Sequence, residues 1–359
     1  MHLSSLRRLL ASGAVTTVLA ATLAVEAPSA QPASGRAAAQ GYKAPRTAHG
    51  RPDLQGVWTN ATITPLERPA EYGDRLVLRP EEAAKLEQAN AAASAEGAKP
   101  TAPGTRTEDL PRECGRGFVG TNCGYNSFWV DPGTQVISIN GQKRSSMIVD
   151  PPDGKLPALT SDGKKRLAER TAMRAGGKGF SDPEVRGLGE RCILSFGSSA
   201  GPPMIPLLYN NTYQITQTAD QVAILVEMVH DVRIVRMSGQ HPPSDVRTWM
   251  GDSIGRWEGD TLVVETTNLR PEQSFRGASE NVKVIERFTR VAPDSILYRF
   301  TVEDPSTFTR PFTGEIAMNA TKGPIYEYAC HEGNYAMPGI LAGARADEAA
   351  GRVPSSSGE

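Results

Sequence analysis

The residues best suited to chemistry crowd into one stretch, QVAILVEMVHDVRIVRM, residues 221–237. Written with the two-residue period of a strand, Val222, Ile224, Val226, Met228, His230, Val232 and Ile234 share one face. Ala223, Leu225, Glu227, Val229, Asp231 and Arg233 share the other. A carboxylate can take a proton, an imidazole can give one near neutral pH, and a guanidinium can hold an anionic or carbonyl group. The expectation is Glu227 or Asp231 as base, His230 or His331 as acid, and Arg233 as the substrate anchor. Two plainer readings stand beside it. His230 is a buried imidazole bonded to backbone, or the charges form a solvated outer face with cross-strand pairs.

A second polar cluster is Cys330-His331-Glu332, read as the end of a last strand, with Tyr326 and Tyr328 on the Glu332 face. A third is RTWMGDSIGRW, which carries Arg247, Trp249, Asp252, Arg256 and Trp257. Tyr125, Trp129, Arg144 and Trp249 are expected to line the same cavity, with Tyr326 and Glu332 at its mouth. Zinc held by His230, His331 and a carboxylate lacks HExxH-type spacing, so no metal or other cofactor is expected. Two motif matches fail on context. Gly115–Gly120 spells G-x-G-x-x-G without the strand and helix that a dinucleotide needs. Gly197–Gly201 spells G-x-S-x-G, but Pro202-Pro203 forbids the helix that follows a nucleophile elbow.

The elements that must position these residues are mainly strands. Among 359 residues, Gly 35 and Pro 27 speak for turns rather than long helical bundles. A net charge of −1 leaves no footprint for nucleic acid. From Thr212 onward, apolar alternating runs are separated by turn chemistry at Ala219-Asp220, Glu258-Gly259-Asp260, Ala292-Pro293-Asp294 and Lys322-Gly323. Earlier, Asn140-Gly141 marks a hairpin, and two helices are expected from Pro80 and over Thr160–Arg174. Such a meander closes on itself, because closure removes exposed edges.

The N-terminus has Arg7-Arg8 followed by an uncharged Ala/Thr-rich stretch, the anatomy of a secretory signal over residues 1–27. Residues 28–50 read as a flexible leader, 51–345 as one barrel domain with insertions at about 79–113 and 155–205, and 346–359 as a disordered tail. No stable membrane insertion is expected after cleavage. Four cysteines in an oxidising compartment favour disulfides. Cys114–Cys123 with Cys192–Cys330 is the preferred pairing among three.

Gly56-x-Trp58 followed by a meander resembles the lipocalin or calycin barrel. There an arginine, Arg256 or Arg287, is expected to stack on Trp58. The phrases PDLQGVW, MIVDPPDG, EMVHDVR, GRWEGDTLVVETTNL, ERFTR and YACHEGNY also resemble a large group of secreted proteins of environmental bacteria that has no established activity. The resulting expectation is a mainly β protein, a lipocalin-like barrel in the periplasm or outside the cell. It acts as a cofactor-independent hydratase, lyase, isomerase or hydrolase on a small organic molecule. The alternatives are a non-catalytic small-molecule carrier and a partner-binding envelope protein whose contact loop is 97–124.

Overall fold

A computed structural model describes residues 42–99, 104, 130–175, 178–196, 199–273 and 275–352. The side chain of His230 is not among those described. Cys114, Cys123, Tyr125 and Trp129 also lie outside the described residues.

The first elements are strand β1 (Gly56–Thr59) and helix α1 (Pro80–Gly97). The proline opens α1 because it lacks the amide hydrogen that a first turn cannot use. Glu82 in that turn accepts from the Arg79 amide at 2.9 Å. Hydrogen bonds from Arg75 and Arg79 hold its carboxyl well below the usual carboxylate range. The Asn-Gly hairpin forms as β2 (Ser138–Ile139) and β3 (Gln142–Lys143), with Asn140 and Gly141 at φ 52° and 75°. Its arms are shorter than the sequence implies. Strand β4 (Ile148–Asp150) leaves the hairpin to pair elsewhere. Helices α2 (Ser161–Ala175) and α3 (Lys178–Ser181) follow.

Eight further strands complete the sheet. They are β5 (Thr212–Gln217), β6 (Gln221–Val226), β7 (Val232–Arg236), β8 (Asp252–Glu258), β9 (Thr261–Thr267), β10 (Lys283–Ala292), β11 (Ser295–Glu303) and β12 (Phe312–Ala320). Hydrogen bonding runs β1-β5-β6-β7-β8-β9-β10-β11-β12, and β12 returns to β1 through Trp58↔Ala320 and Thr59↔Asn319. The result is a closed, lipocalin-like barrel of nine strands, with β4 laid on β12 outside the ring. All ring pairings are antiparallel except β7–β8, which is parallel through Val235↔Ser253 and Arg236↔Ile254.

Alternation fills the interior. Val284, Phe288, Ile296, Tyr298, Phe300, Val302, Ile316 and Met318 are buried along β10–β12. Gly314 is required at its place, because a Cβ there would come 2.3 Å from the Phe300 ring. Trp58 closes one side of the core: its indole Nε1 donates to the Leu54 carbonyl at 3.0 Å. The arginine over this ring is Arg290, 5.4 Å from a ring centroid. Arg256 and Arg287 do not supply the stack. Both pair with Glu258 at 2.8 Å, at the β8–β9 turn on the outer side.

Two expectations on the C-terminal side are corrected. PIYEYACHE forms no strand, since the chain leaves the sheet at Ala320 and runs as loop and turn to α4 (Ala336–Ala349). That helix also crosses the 345 boundary at which the sequence suggested a tail. The Cys192–Cys330 disulfide is formed, joining residues 138 apart in sequence. No helix among the described residues is long and apolar enough to cross a membrane.

Candidate functional site

Residues 221–236 do not form one strand. They form the β6–β7 hairpin, closed by the Val226 amide on the Asp231 carbonyl at 2.8 Å. A five-residue connection, Glu227 to Asp231, reverses the chain, and the register Ile224↔Arg233 turns opposite parities inward on the two arms. Val222, Ile224 and Val226 point in on β6, but Arg233 and Val235 point in on β7. Val232 and Ile234, which the strand period placed on one face with Val222, Ile224 and Val226, are 47% and 44% exposed. Glu227 and Asp231 belong to neither wall face. They are half-buried at the two ends of the turn at the barrel rim. Glu227 is tied to β5, with Oε2 accepting from the Thr212 amide at 3.1 Å. Between them Val229 holds φ 62° and ψ 9° while only 4% exposed. A β-branched residue in the left-handed region is strained by about 1–3 kcal/mol.

Beneath this turn lies a polar knot that sequence reasoning missed. Arg233 grips Glu286 of β10 with both arms of its fork, at 2.7 and 3.0 Å, and the two side chains are 2% and 0% exposed. The Tyr298 hydroxyl donates to Glu286 Oε1 at 2.8 Å and accepts from the Met204 amide at 2.9 Å. The Tyr213 hydroxyl donates to the Ser199 carbonyl at 2.8 Å, and Asn60 donates to Tyr213 and to the Met204 carbonyl at 3.3 and 3.2 Å. Met204 and Ser199 belong to a buried segment that includes Leu194, Ala200 and Ile205 and packs into the core as a plug. Ser199 of the G-x-S-x-G match is fully buried, its hydroxyl against the Met228 sulfur at 3.6 Å. No helix follows it, so the match carries no nucleophile elbow.

Burial opposes the Arg233 charge, but the Glu286 carboxylate overcomes this and holds the guanidinium above its ordinary range. Burial pushes the Tyr298 phenol well above its usual value, and Glu286 adds to it. Burial does the same to Tyr213. An unfolded phenol ionises near pH 10. Stability from these two phenols is therefore complete below that pH and is lost as the pH rises through their higher folded-state values. In an absorbance titration to pH 11, two of the nine tyrosines should stay un-ionised for as long as the fold persists. Ionisation of all nine with native circular dichroism would contradict the knot.

The remaining candidates are dispersed. Arg233 cannot offer its fork to a substrate, because Glu286 fills it. Trp249 lies in the β7–β8 crossover, its ring 4.1 Å below the Arg270 guanidinium. Arg144 is bridged through its backbone to Val77 and the Ile137 carbonyl, and burial lowers its affinity for a proton against the nearby Glu315. Glu315 projects from β12 outside the barrel, so Arg144 does not face the interior. His331 and Glu332 are exposed, as is Tyr326, and the disulfide holds their segment beside residues 189–192.

A second acid–imidazole group also escaped notice. His241 Nδ1 sits 2.6 Å from Asp252 Oδ2, Nε2 lies 3.6 Å from Glu265 Oε1, and Arg236 clasps Asp252 at 2.9 Å. It fastens the crossover to the outer face of β8 and β9. Among the described residues, no group of three His, Cys, Asp or Glu side chains could hold a metal ion. A shallow cleft of about 30 Å³, room for little more than one water, lies outside β12, lined by Ala61, Thr62, Gln135–Ser138, Ala317 and Asn319. In comparison with known proteins, the chain matches no family model, no curated protein and no solved structure.

Proposed function

We propose that the chain is a secreted or periplasmic enzyme that moves protons on a small, partly apolar organic molecule without a cofactor. The reaction class is that of a hydratase, lyase, isomerase or hydrolase, and the site is the barrel rim at the Glu227–Asp231 turn. The observation that carries this reading is the strained Val229 between two carboxylates, on the hairpin whose Arg233 forms a fully buried ion pair with Glu286. Strain of this kind persists where surrounding structure enforces it, and it gathers at working sites. A buried ion pair is seldom better for stability than an apolar pair of equal volume, so its presence supports a positioning role. Asp231 or Glu227 serves as base with His230 as acid, and His331, the other acid expected from the sequence, sits on the segment beside residues 189–192. Arg233 acts as a positioning residue that fixes β7 through Glu286. The disulfide agrees with an oxidising compartment.

The test replaces the four groups singly, as Glu227→Gln, Asp231→Asn, His230→Gln and His331→Gln. A positioned acid or base contributes about 10²–10⁴-fold. At least one variant should lose turnover on that scale while its melting temperature stays near the wild-type value. Full turnover in all four would end the assignment. A co-purifying organic mass in a native mass spectrum would instead favour a non-catalytic carrier.

A further inference from the structure

Beyond Ala320 the chain adds almost nothing to the core. Among described residues 321–352 only Ala344 is buried, while Tyr326 and Tyr335 are 73% and 84% exposed. The segment is held by α4 packing on α3 and by the Asn334 amide, which donates to the Glu190 carbonyl at 2.8 Å and lies 3.5 Å from Cys192 Sγ. Ordering a residue costs on the order of 1–2 kcal/mol of backbone entropy. One buried methyl group and a few hydrogen bonds offset little of that. The Thr321 amide also donates to the Val57 carbonyl at 3.0 Å, and the strongest single restraint is covalent. Cys330 joins this segment to Cys192, at the root of the plug.

We infer that the Cys192–Cys330 disulfide is a thiol-reducible latch for the C-terminal segment 321–352, whose opening frees that segment while the barrel stays closed. Cys192 is 6% exposed and Cys330 is only partly buried, so Cys330 is the more accessible of the two to an incoming thiolate. The reductant is a small dithiol. Its thiolate attacks Cys330 Sγ, the Sγ–Sγ bond breaks, and Cys192 leaves as thiolate and takes a proton. The second thiol of the reductant then closes on the mixed disulfide and releases Cys330 as thiol. The protein gains two electrons and two protons, and the dithiol becomes a cyclic disulfide. Because the barrel ring closes through β12 and β1, upstream of the segment, no strand pairing depends on the latch. The inference rests on the disulfide and the sparse burial of the segment rather than on the catalytic reading, although the freed segment carries His331, one of the two acids that reading names.

Hydrogen–deuterium exchange on the whole chain, with and without dithiothreitol, tests it, with alkylation and mass measurement reporting the bond's state. Reduction should raise exchange in peptides from 321–352 at least tenfold and leave 283–320 unchanged. Cys192→Ser/Cys330→Ser should show the same pattern without reductant. Three results would overturn the latch: a bond that resists reduction in the folded protein, unchanged exchange in 321–352 after full reduction, or equal loss of protection in β10–β12. The last would make the bond a staple of the whole fold.

Discussion

Replacing Arg233 alone by methionine is expected to cost about 3–5 kcal/mol of stability, because it strands the Glu286 carboxylate where water cannot reach it. The double replacement Arg233→Met/Glu286→Leu should recover most of that loss, since two apolar side chains of similar volume need no ion pair. Tyr298 loses its acceptor in the double variant, which costs about 1–3 kcal/mol and keeps the recovery incomplete. Urea unfolding of the two single variants and the double variant gives the coupling energy. A coupling near zero would mean that the pair does not interact as the geometry requires. The same cycle read by turnover separates stability from positioning: the double variant should be folded and slow.

Trp58→Ala should be comparably severe, about 3–5 kcal/mol. The indole is 1% exposed, donates to Leu54 and lies under Arg290. Arg290 in turn donates to the Asp53 and Pro293 carbonyls at 2.8 and 2.6 Å, so one ring joins the entering chain, β1 and the β10–β11 turn. Gly56 precedes it at φ 139°, a conformation that side chains avoid, with the indole 3.4 Å from where a Cβ would stand. Thermal unfolding of Trp58→Ala should therefore shift far more than that of Trp249→Ala, whose ring is half-buried. Equal shifts would show that Trp58 does not close the core.

Much of the barrel was legible because its strands alternate cleanly. Val284-x-x-x-Phe288 and Ile296-x-Tyr298-x-Phe300 announce an inward face, and Asn140-Gly141 announces its hairpin. The failures have local causes. The run 221–237 is so rich in β-branched residues that its period hides a turn, and only Val229 in the left-handed region reveals it. Without that break, Arg233 falls on the face opposite Val222, Ile224 and Val226, whereas all four point inward. Glu286 was open to detection, being the one charge at inward parity between Val284 and Phe288, but its partner is 53 residues away. Arg290 was also open to detection, because it follows Glu286 and Phe288 at inward parity and pairs with inward-facing Ile296. The missing last strand has another cause: PIYEYACHE alternates like a strand, yet the barrel has already closed on β1 and leaves it no edge.

The central claim, proton transfer at the Glu227–Asp231 turn, meets its most direct test in label incorporation. Small carbonyl, unsaturated-acid and ester compounds are incubated with the protein in a mixture of D₂O and H₂¹⁸O, and the recovered compounds are weighed by mass spectrometry. The account predicts that one class acquires label many times over per chain, and that Asp231→Asn or Glu227→Gln abolishes this without unfolding the protein. Stoichiometric binding of a compound with no label gained would contradict it and leave a carrier.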